Sequence, residues 1–444
     1  MNAIEEKIKV IKGYLSRNEK DKLMQFAKDH HPVDLADLIS DLEREERSHF
    51  FSIISSEQAA LVLPKMRPVL MKELLEEIEE TTISRILEKM SSRDASGILE
   101  ELPEKWAQQL LNLMKREKAE DIDELLGYKE DTAGRIMTPD FFALHAEMSV
   151  AEAIEELRKT NIHKIPYIYI TTNDGYFIGV LAVRDLIIAA PNTKLSKIVN
   201  KDIVRVTVEV DQEEVANLVR KYHLRAIPVV DMTNKLVGIV TVDNILEIVT
   251  EEASEDIYYM AGIKEDGLLH LPILATIRLR LPWLVICLFG GMAAAGVVGT
   301  FKETIAAIVV LAAFMPVIMD MGGNVGTQSS TIVVRGLATR SINTRKIWRL
   351  LWRELRIGLS LGAICGVGVG VIAQIWKGTP DLGIVLGIAM AATITVAAFC
   401  GALLPVLCQR FGTDPAVAAG PAITTIKDIT GLLIYFGIAT LIML

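Results

Sequence analysis

The 444-residue sequence is short of the groups on which most enzymes rely. Its four cysteines, Cys287, Cys365, Cys400 and Cys408, show no CxxC spacing, so neither a disulfide framework nor a thiolate zinc site is indicated and they read as small apolar packing residues. All seven histidines precede residue 281, so the rest of the chain offers no imidazole and no clustered thiolate to a soft transition metal. No GxxxxGK[ST] phosphate loop occurs, and with it the commonest mark of an ATPase is missing. The opening MNAIEEKIKVIKGYLSRNEK lacks the apolar run of a signal peptide, so residues 1–280 are expected to stay in the cytoplasm. With 47 Lys+Arg against 56 Asp+Glu there is no basic stripe to displace counterions from a phosphate backbone, which excludes nucleic acid as a partner.

What is present is apolar surface and segregated charge. Hydrophobic residues make up 51% of the chain and mean hydropathy is +0.34, too apolar for an ordinary soluble enzyme. Residues 281–444 hold 11 Lys+Arg and 6 Asp+Glu, a net of +5; the first 280 keep 36 and 50, a net of −14. Cations are the natural partners of that acidic part.

Apolar residues recur at three- and four-residue spacing from residue 4 to about 127, which predicts a stack of short amphipathic helices. A repeat follows. EAIEELRKTNIHKIP (Glu152 to Pro166) aligns with EVANLVRKYHLRAIP (Glu214 to Pro228) at an offset of 62 positions, each copy continuing into extended runs with Gly179 or Gly238 and a helix start. Two strand-and-helix modules side by side are predicted, then an acidic helical connector, EIVTEEASEDIYYMAGIKEDGLLH. Five stretches of spanning length come last, about 281–301, 305–334, 357–376, 382–408 and 417–444, with Trp283, Trp348, Trp352 and Trp376 near their ends. The second connection carries seven Lys or Arg (Arg335, Arg340, Arg345, Lys346, Arg349, Arg353, Arg356) against Lys302 in the first and Lys377 in the third. That bias puts the N-terminus inside and the C-terminus outside a cell membrane.

Charged side chains at the bilayer centre cost ~2.5–3.5 kcal/mol on insertion scales, so each one asks for a use. Asp320, Asn324 and Gln328 form one polar stripe at i, i+4, i+8, and Gly322, Gly323 and Gly326 admit a neighbouring backbone. Helix–helix hydrogen bonding without transport explains Asn324 and Gln328 equally well. In the last stretch Asp414 precedes a Gly420–Pro421 break, then Thr424, Thr425, Asp428 and Thr430. Proline frees carbonyls that are tolerated where they line a wet cavity, so Asp428, seven residues on, reads as a cation site. The competing reading is an internal pair with Lys427, disfavoured because helix neighbours point about 100° apart. Oxygen-only ligands suit Mg²⁺ or Ca²⁺, and Mg²⁺ is often held through its water by one or two carboxylates.

These residues resemble the MgtE family of magnesium channels and transporters over almost the whole chain. The similarity lies in HPVDLADL (31–38), EDTAGRIMTP (130–139), PVVDMTNKLVGIVTVDNI with EEASEDI (228–257), PVIMDMGGNVGTQSSTIVVRGLAT (316–339) and the DPA, GP and TTIKDITGLL elements (414–433). The resemblance implies a multidomain membrane homodimer. Its parts are an all-α superhelical N-domain (1–130), an α/β CBS-domain pair (131–191 and 192–248), a connecting plug helix (249–277) and a five-helix transmembrane bundle (278–444). It implies further that Asp428 of both subunits holds hydrated Mg²⁺, that Gly420, Pro421, Thr424 and Asn324 line the path, and that cytosolic Mg²⁺ bound between acidic parts closes the pore. The candidate sensing acids are Asp211, Glu213, Asp243, Glu247, Glu252, Glu255 and Asp256. Like charges about 4 Å apart repel by ~4 kcal/mol at an effective dielectric near 20, so such acids spread unless a divalent ion joins them.

CBS pairs in this resemblance take adenine nucleotides such as ATP. Tyr167, Arg184 and Asp185 match that pattern in the first module; Asn244 replaces the second aspartate, so at most one nucleotide site per pair is expected. His223, Asn244 and Lys427 depart from the family pattern. The expectation is thus a Mg²⁺-selective, Mg²⁺-gated channel for magnesium uptake and homeostasis, not an enzyme, embedded in the bilayer. Its rivals are a secondary transporter exchanging Mg²⁺ or Co²⁺ for another ion, and a membrane-anchored nucleotide or ion sensor.

Overall fold

The computed structural model describes residues 3–160, 167–263, 273–339, 341–342, 346–377, 380–418 and 420–444. The chain divides into two compact units, Met1–Thr250 and Glu251–Leu444.

The first unit begins with short helices running from Ala3–Ser16 to Arg116–Gly127, closed around a continuous core that includes Ile11, Leu35, Phe50, Leu74, Ile83 and Leu110. Helices of 7–14 residues are marginal alone, so this stack is held by the apolar stripe that each contributes. The predicted repeat follows as two three-stranded sheets. In one, β1 (Ala143–His145) lies parallel to β2 (Ile168–Thr171), which pairs antiparallel with β3 (Phe177–Leu181). In the other, β4 (Val206–Thr207), β5 (Ala226–Val230) and β6 (Leu236–Thr241) repeat that order. The 62-residue offset is visible in the caps. Ser149 starts the helix Val150–Lys159 by accepting from Glu152 N, and Asp211, 62 positions later, starts Gln212–Tyr222 by accepting from Glu213 N. Gly179 is required by contact, because a Cβ there would stand 2.2 Å from the Asn200 carbonyl oxygen. Ile165 and Pro166 of the repeat lie outside the described residues.

A helix Val242–Met260 leaves β6 directly, so it begins seven residues before the expected connector boundary. It stops where Gly262 takes a positive φ and Ile263 N donates back to Tyr258 O, a Schellman-type end. Residues 264–272 of the predicted plug segment lie outside the described residues.

The second unit contains five long helices among the described residues: first (Ile273–Thr300), second (Leu311–Ala338), third (Ile347–Lys377), fourth (Pro380–Arg410) and fifth (Pro421–Met443). Four are long and apolar enough to cross a membrane; the second is 28 residues long but its polar stripe lowers its hydropathy. The third and fourth helices pack through a small-residue stripe. Cβ atoms on Gly362, Gly366 and Gly370 would stand 2.4–2.7 Å from the carbonyls of Ala391, Gly387 and Gly383. Tyr435 donates to Leu311 O at 2.8 Å, fixing the fifth helix against the start of the second, and Thr440 pairs at 2.8 Å with Thr304 of the short helix Lys302–Ala307 that precedes it.

Candidate functional site

The fifth helix is built differently from the sequence expectation of a span broken at Gly420–Pro421. Its helix starts there: Gly420 is the N-cap, Pro421 occupies the first turn, and a separate short helix, Pro415–Ala418, precedes it. Proline at that position loses no hydrogen bond, since the first N–H groups of a helix have no partner in any case. The Gly420 carbonyl accepts from Thr424 N at 3.3 Å and Thr424 Oγ1 at 3.5 Å, so it is not left free. Asp428 follows on the second turn and is partly buried within the chain.

Lys427 does not pair with Asp428. Its side chain runs to the second helix, where a Cβ on Gly323 would stand 2.5 Å from Lys427 Nζ. On that second helix Asn324 Nδ2 donates to Asp320 Oδ2 at 3.2 Å, so the predicted stripe is partly satisfied within its own helix. The glycines admit neighbours as expected: a Cβ on Gly322 would meet Thr393, and the Gly326 carbonyl would stand 2.3 Å from a Cβ on Gly401.

The end of the connecting helix meets the start of the fifth. A Cβ on Gly420 would lie 3.2 Å from Met260 O and 3.3 Å from Tyr259 O, while Tyr259 and Met260 pack on Val334 and Ala416. Carbonyls at a helix C-terminus carry partial negative charge and face here the positive end of the fifth helix. One turn back, burial pushes the Asp256 carboxyl up to about 6, helped by the Asp414 and Glu255 carboxylates and opposed by the Arg335 guanidinium. Asp414 reaches the surface, yet the protein around it raises its carboxyl too, partly offset by Ala416 N, which donates to it at 2.7 Å.

Of the remaining candidate acids, Asp211, Glu213, Asp243 and Glu247 belong to the first unit and Glu252 to the second. Asp211 is the N-cap already described, and Asp243 sits in the first turn of the connecting helix. Glu247 accepts from Lys65 at 3.2 Å and Arg93 at 3.4 Å, so in this arrangement cations of the N-terminal helices hold it. Among the described residues no three His, Cys, Asp or Glu side chains converge as a metal site, so Asp211, Glu213, Asp243, Glu247, Glu252, Glu255 and Asp256 form no preassembled cage. Tyr167 packs at the edge of the core cluster containing Tyr169 and Phe177, and Arg184 and Asp185 are exposed at the start of the helix Val183–Ile188. Asn244 accepts from Thr241 Oγ1 at 3.1 Å and reaches Ile136 O at 3.5 Å, a structural task. His223 ends its helix in the left-handed region, φ 52°.

Residues 315–438 match the family model of the divalent cation transporter MgtE, residues 30–131 that of the MgtE intracellular N domain, and residues 133–192 and 195–251 the CBS domain. The magnesium transporter MgtE of Bacillus subtilis (strain 168) is 33% identical over 411 residues, covering 92% of this chain and 91% of that one. The Thermus thermophilus protein of the same name is 34% identical, covering 99% of each. The chain belongs to the MgtE family. Among solved structures, the cytosolic domain of the Mg²⁺ channel MgtE in complex with ATP is similar over 54% of this chain and 98% of that one, at 33% identity and a TM-score of 0.51. The soluble part of a magnesium transporter matches over 56% and 99%, at 28% identity and a TM-score of 0.52.

In this MgtE protein two polar features escape a reading of the sequence. Arg335 looks like one more orienting cation in a basic loop, yet it ends the second helix beside Asp256. Glu354 is only 3% exposed and accepts from Ser329 Oγ at 3.0 Å. Its signal was a lone acid among arginines at the start of a span, RLLWRELRIG. Removing a buried, hydrogen-bonded charged group costs ~1.5–3 kcal/mol, so Glu354→Ala is expected to lower the thermal unfolding midpoint in detergent, with Glu354→Gln closer to the unmodified protein. Equal midpoints for all three would show that the pair is not structural.

Proposed function

We propose that this chain is a Mg²⁺-selective membrane channel, closed by cytosolic Mg²⁺, that mediates magnesium uptake. It works as a homodimer with five spans per subunit, N-terminus in the cytoplasm and C-terminus outside. Asp428 of the two subunits holds Mg²⁺ with its water shell, and Gly420, Pro421, Thr424 and Asn324 line the approach. The electrochemical gradient drives the ion, and no bond of any substrate is made or broken. Cytosolic Mg²⁺ binds at acids among Asp211, Glu213, Asp243, Glu247, Glu252, Glu255 and Asp256 and thereby closes the pore, Glu247 giving up Lys65 and Arg93 for the ion where it takes part. ATP binds at Tyr167, Arg184 and Asp185 and biases the same equilibrium.

The observation that carries this reading is the seat of the connecting helix: Tyr259 and Met260 carbonyls against Gly420, at the start of the helix bearing Asp428. A helix end lodged there is suited to stop ion flow, and the acids at its flank give Mg²⁺ a lever on it. The test is flux into liposomes holding the purified protein. Uncoupled Mg²⁺ entry with single-channel currents, halted by Mg²⁺ on the cytoplasmic face, is expected. Saturable flux that needs a counter-ion would favour an exchanger of Mg²⁺ or Co²⁺, and no flux at all a membrane-anchored sensor.

A further inference from the structure

A lysine on a membrane helix costs about as much as a carboxylate there and needs a comparable reason. Lys427 forms no ion pair among the described residues, nor does it turn toward solvent: it is partly buried and stretches across to the second helix. The space that it enters exists because residue 323 is glycine, since a Cβ would stand 2.5 Å from Nζ and 3.4 Å from the adjacent methylene. Asp320, three residues before Gly323, lies within one turn of that slot and accepts from Asn324 Nδ2. On the fifth helix the next residue is Asp428. An ammonium therefore sits between two helices at the level of the two carboxylates that hydrocarbon should exclude.

We infer that Lys427 is a built-in counter-cation of the ion path, seated in the Gly323 slot, that weakens Mg²⁺ binding at Asp428 and so speeds its release. The inference rests on the reading of Asp428 as the Mg²⁺ site. A conducting site must bind its ion firmly enough to admit it and loosely enough to let it leave. Carboxylates alone favour the first; a fixed positive charge close by restores the second. The ammonium cannot diffuse away, so unlike a competing free cation its presence at the site does not depend on the external salt, which only screens it.

The experiment is Mg²⁺ flux into liposomes against Mg²⁺ concentration, using the full chain and Lys427→Gln. With the positive charge gone, the half-saturating concentration is expected to fall about tenfold and the maximal rate to fall with it, as a tighter site empties more slowly. Lys427→Arg, which keeps the charge, should reverse both changes. A merely structural lysine would lower the rate without tightening the half-saturating concentration, and that outcome overturns the proposal, as does an unchanged curve. If Lys427→Gln does not insert as a dimer, Lys427→Met supplies the same measurement. An Asp428→Asn arm separates the two ideas: unimpaired flux in that variant defeats the site assignment itself, whereas lost flux with an unaltered Lys427→Gln curve defeats only the role of the lysine.

Discussion

Asp428→Asn is expected to cut Mg²⁺ flux by about 100-fold or more while leaving the protein folded and inserted, because asparagine keeps the shape of the side chain and removes only its charge. The magnitude follows from charge and distance. A hydrated Mg²⁺ stands roughly 5 Å from a carboxylate that contacts it through one water layer. A divalent and a unit charge at that separation attract by about 2–7 kcal/mol as the effective dielectric runs from bulk water to about 20. Even the lower figure is more than tenfold, at 1.4 kcal/mol per decade, and two subunits contribute two carboxylates. The fifth helix has independent anchors at Tyr435 and Thr440, so the substitution does not disturb its seating. Flux within a fewfold of the unmodified protein would mean that the ion is held elsewhere, with the Asp320–Asn324 stripe the next place to look.

What could be read without the structure was whatever leaves a periodic or repeated trace. The amphipathic period gives the N-terminal helices, the 62-residue offset gives the paired modules down to their caps at Ser149 and Asp211, and the apolar runs give the bundle helices. Where side chains point across helices leaves no such trace. Lys427 and Asp428 are neighbours in sequence, and only the packing of the fifth helix on the second sends the amine to Gly323. Glu247 belongs to an acidic run, and Lys65 and Arg93, far away in the chain, decide its partners. The Gly420–Pro421 pair announces an interruption, but whether a span is broken or merely starts there depends on the short helix Pro415–Ala418 ahead of it. Such facts are set by contacts between distant segments, and composition and spacing do not encode them locally.

Acidifying the cytoplasmic face from pH 7.5 to 5.5 at low Mg²⁺ is expected to shift the channel a few-fold toward closure, and Asp256→Asn should remove the Asp256 share of that response. The seated arrangement holds Asp256 with its carboxyl raised to about 6, through burial, Asp414 and Glu255, against the pull of Arg335. Asp414 is raised in the same direction. A group whose value is raised in one state stabilises that state fully below its ordinary value and ceases to do so as pH rises through the raised one. Protonation therefore favours the seated connecting helix: the contribution is complete below about pH 4 and is lost as pH climbs past about 6. Between pH 7.5 and 5.5 protonation therefore shifts the balance toward the seated state by no more than a few-fold, because Asp256 is only half buried and solvent screens its charge; Asp414 acts in the same direction. At cytosolic pH Asp256 is largely ionised beside Asp414 and Glu255, so the seat is favoured by either protons or a divalent cation there. The two should then substitute for one another, acid lowering the Mg²⁺ required for closure. Patch recordings or liposome flux at the two pH values read this directly. Closure at an identical Mg²⁺ concentration at both, with Asp256→Asn indistinguishable from the unmodified protein, would remove Asp256 and Asp414 from the gate.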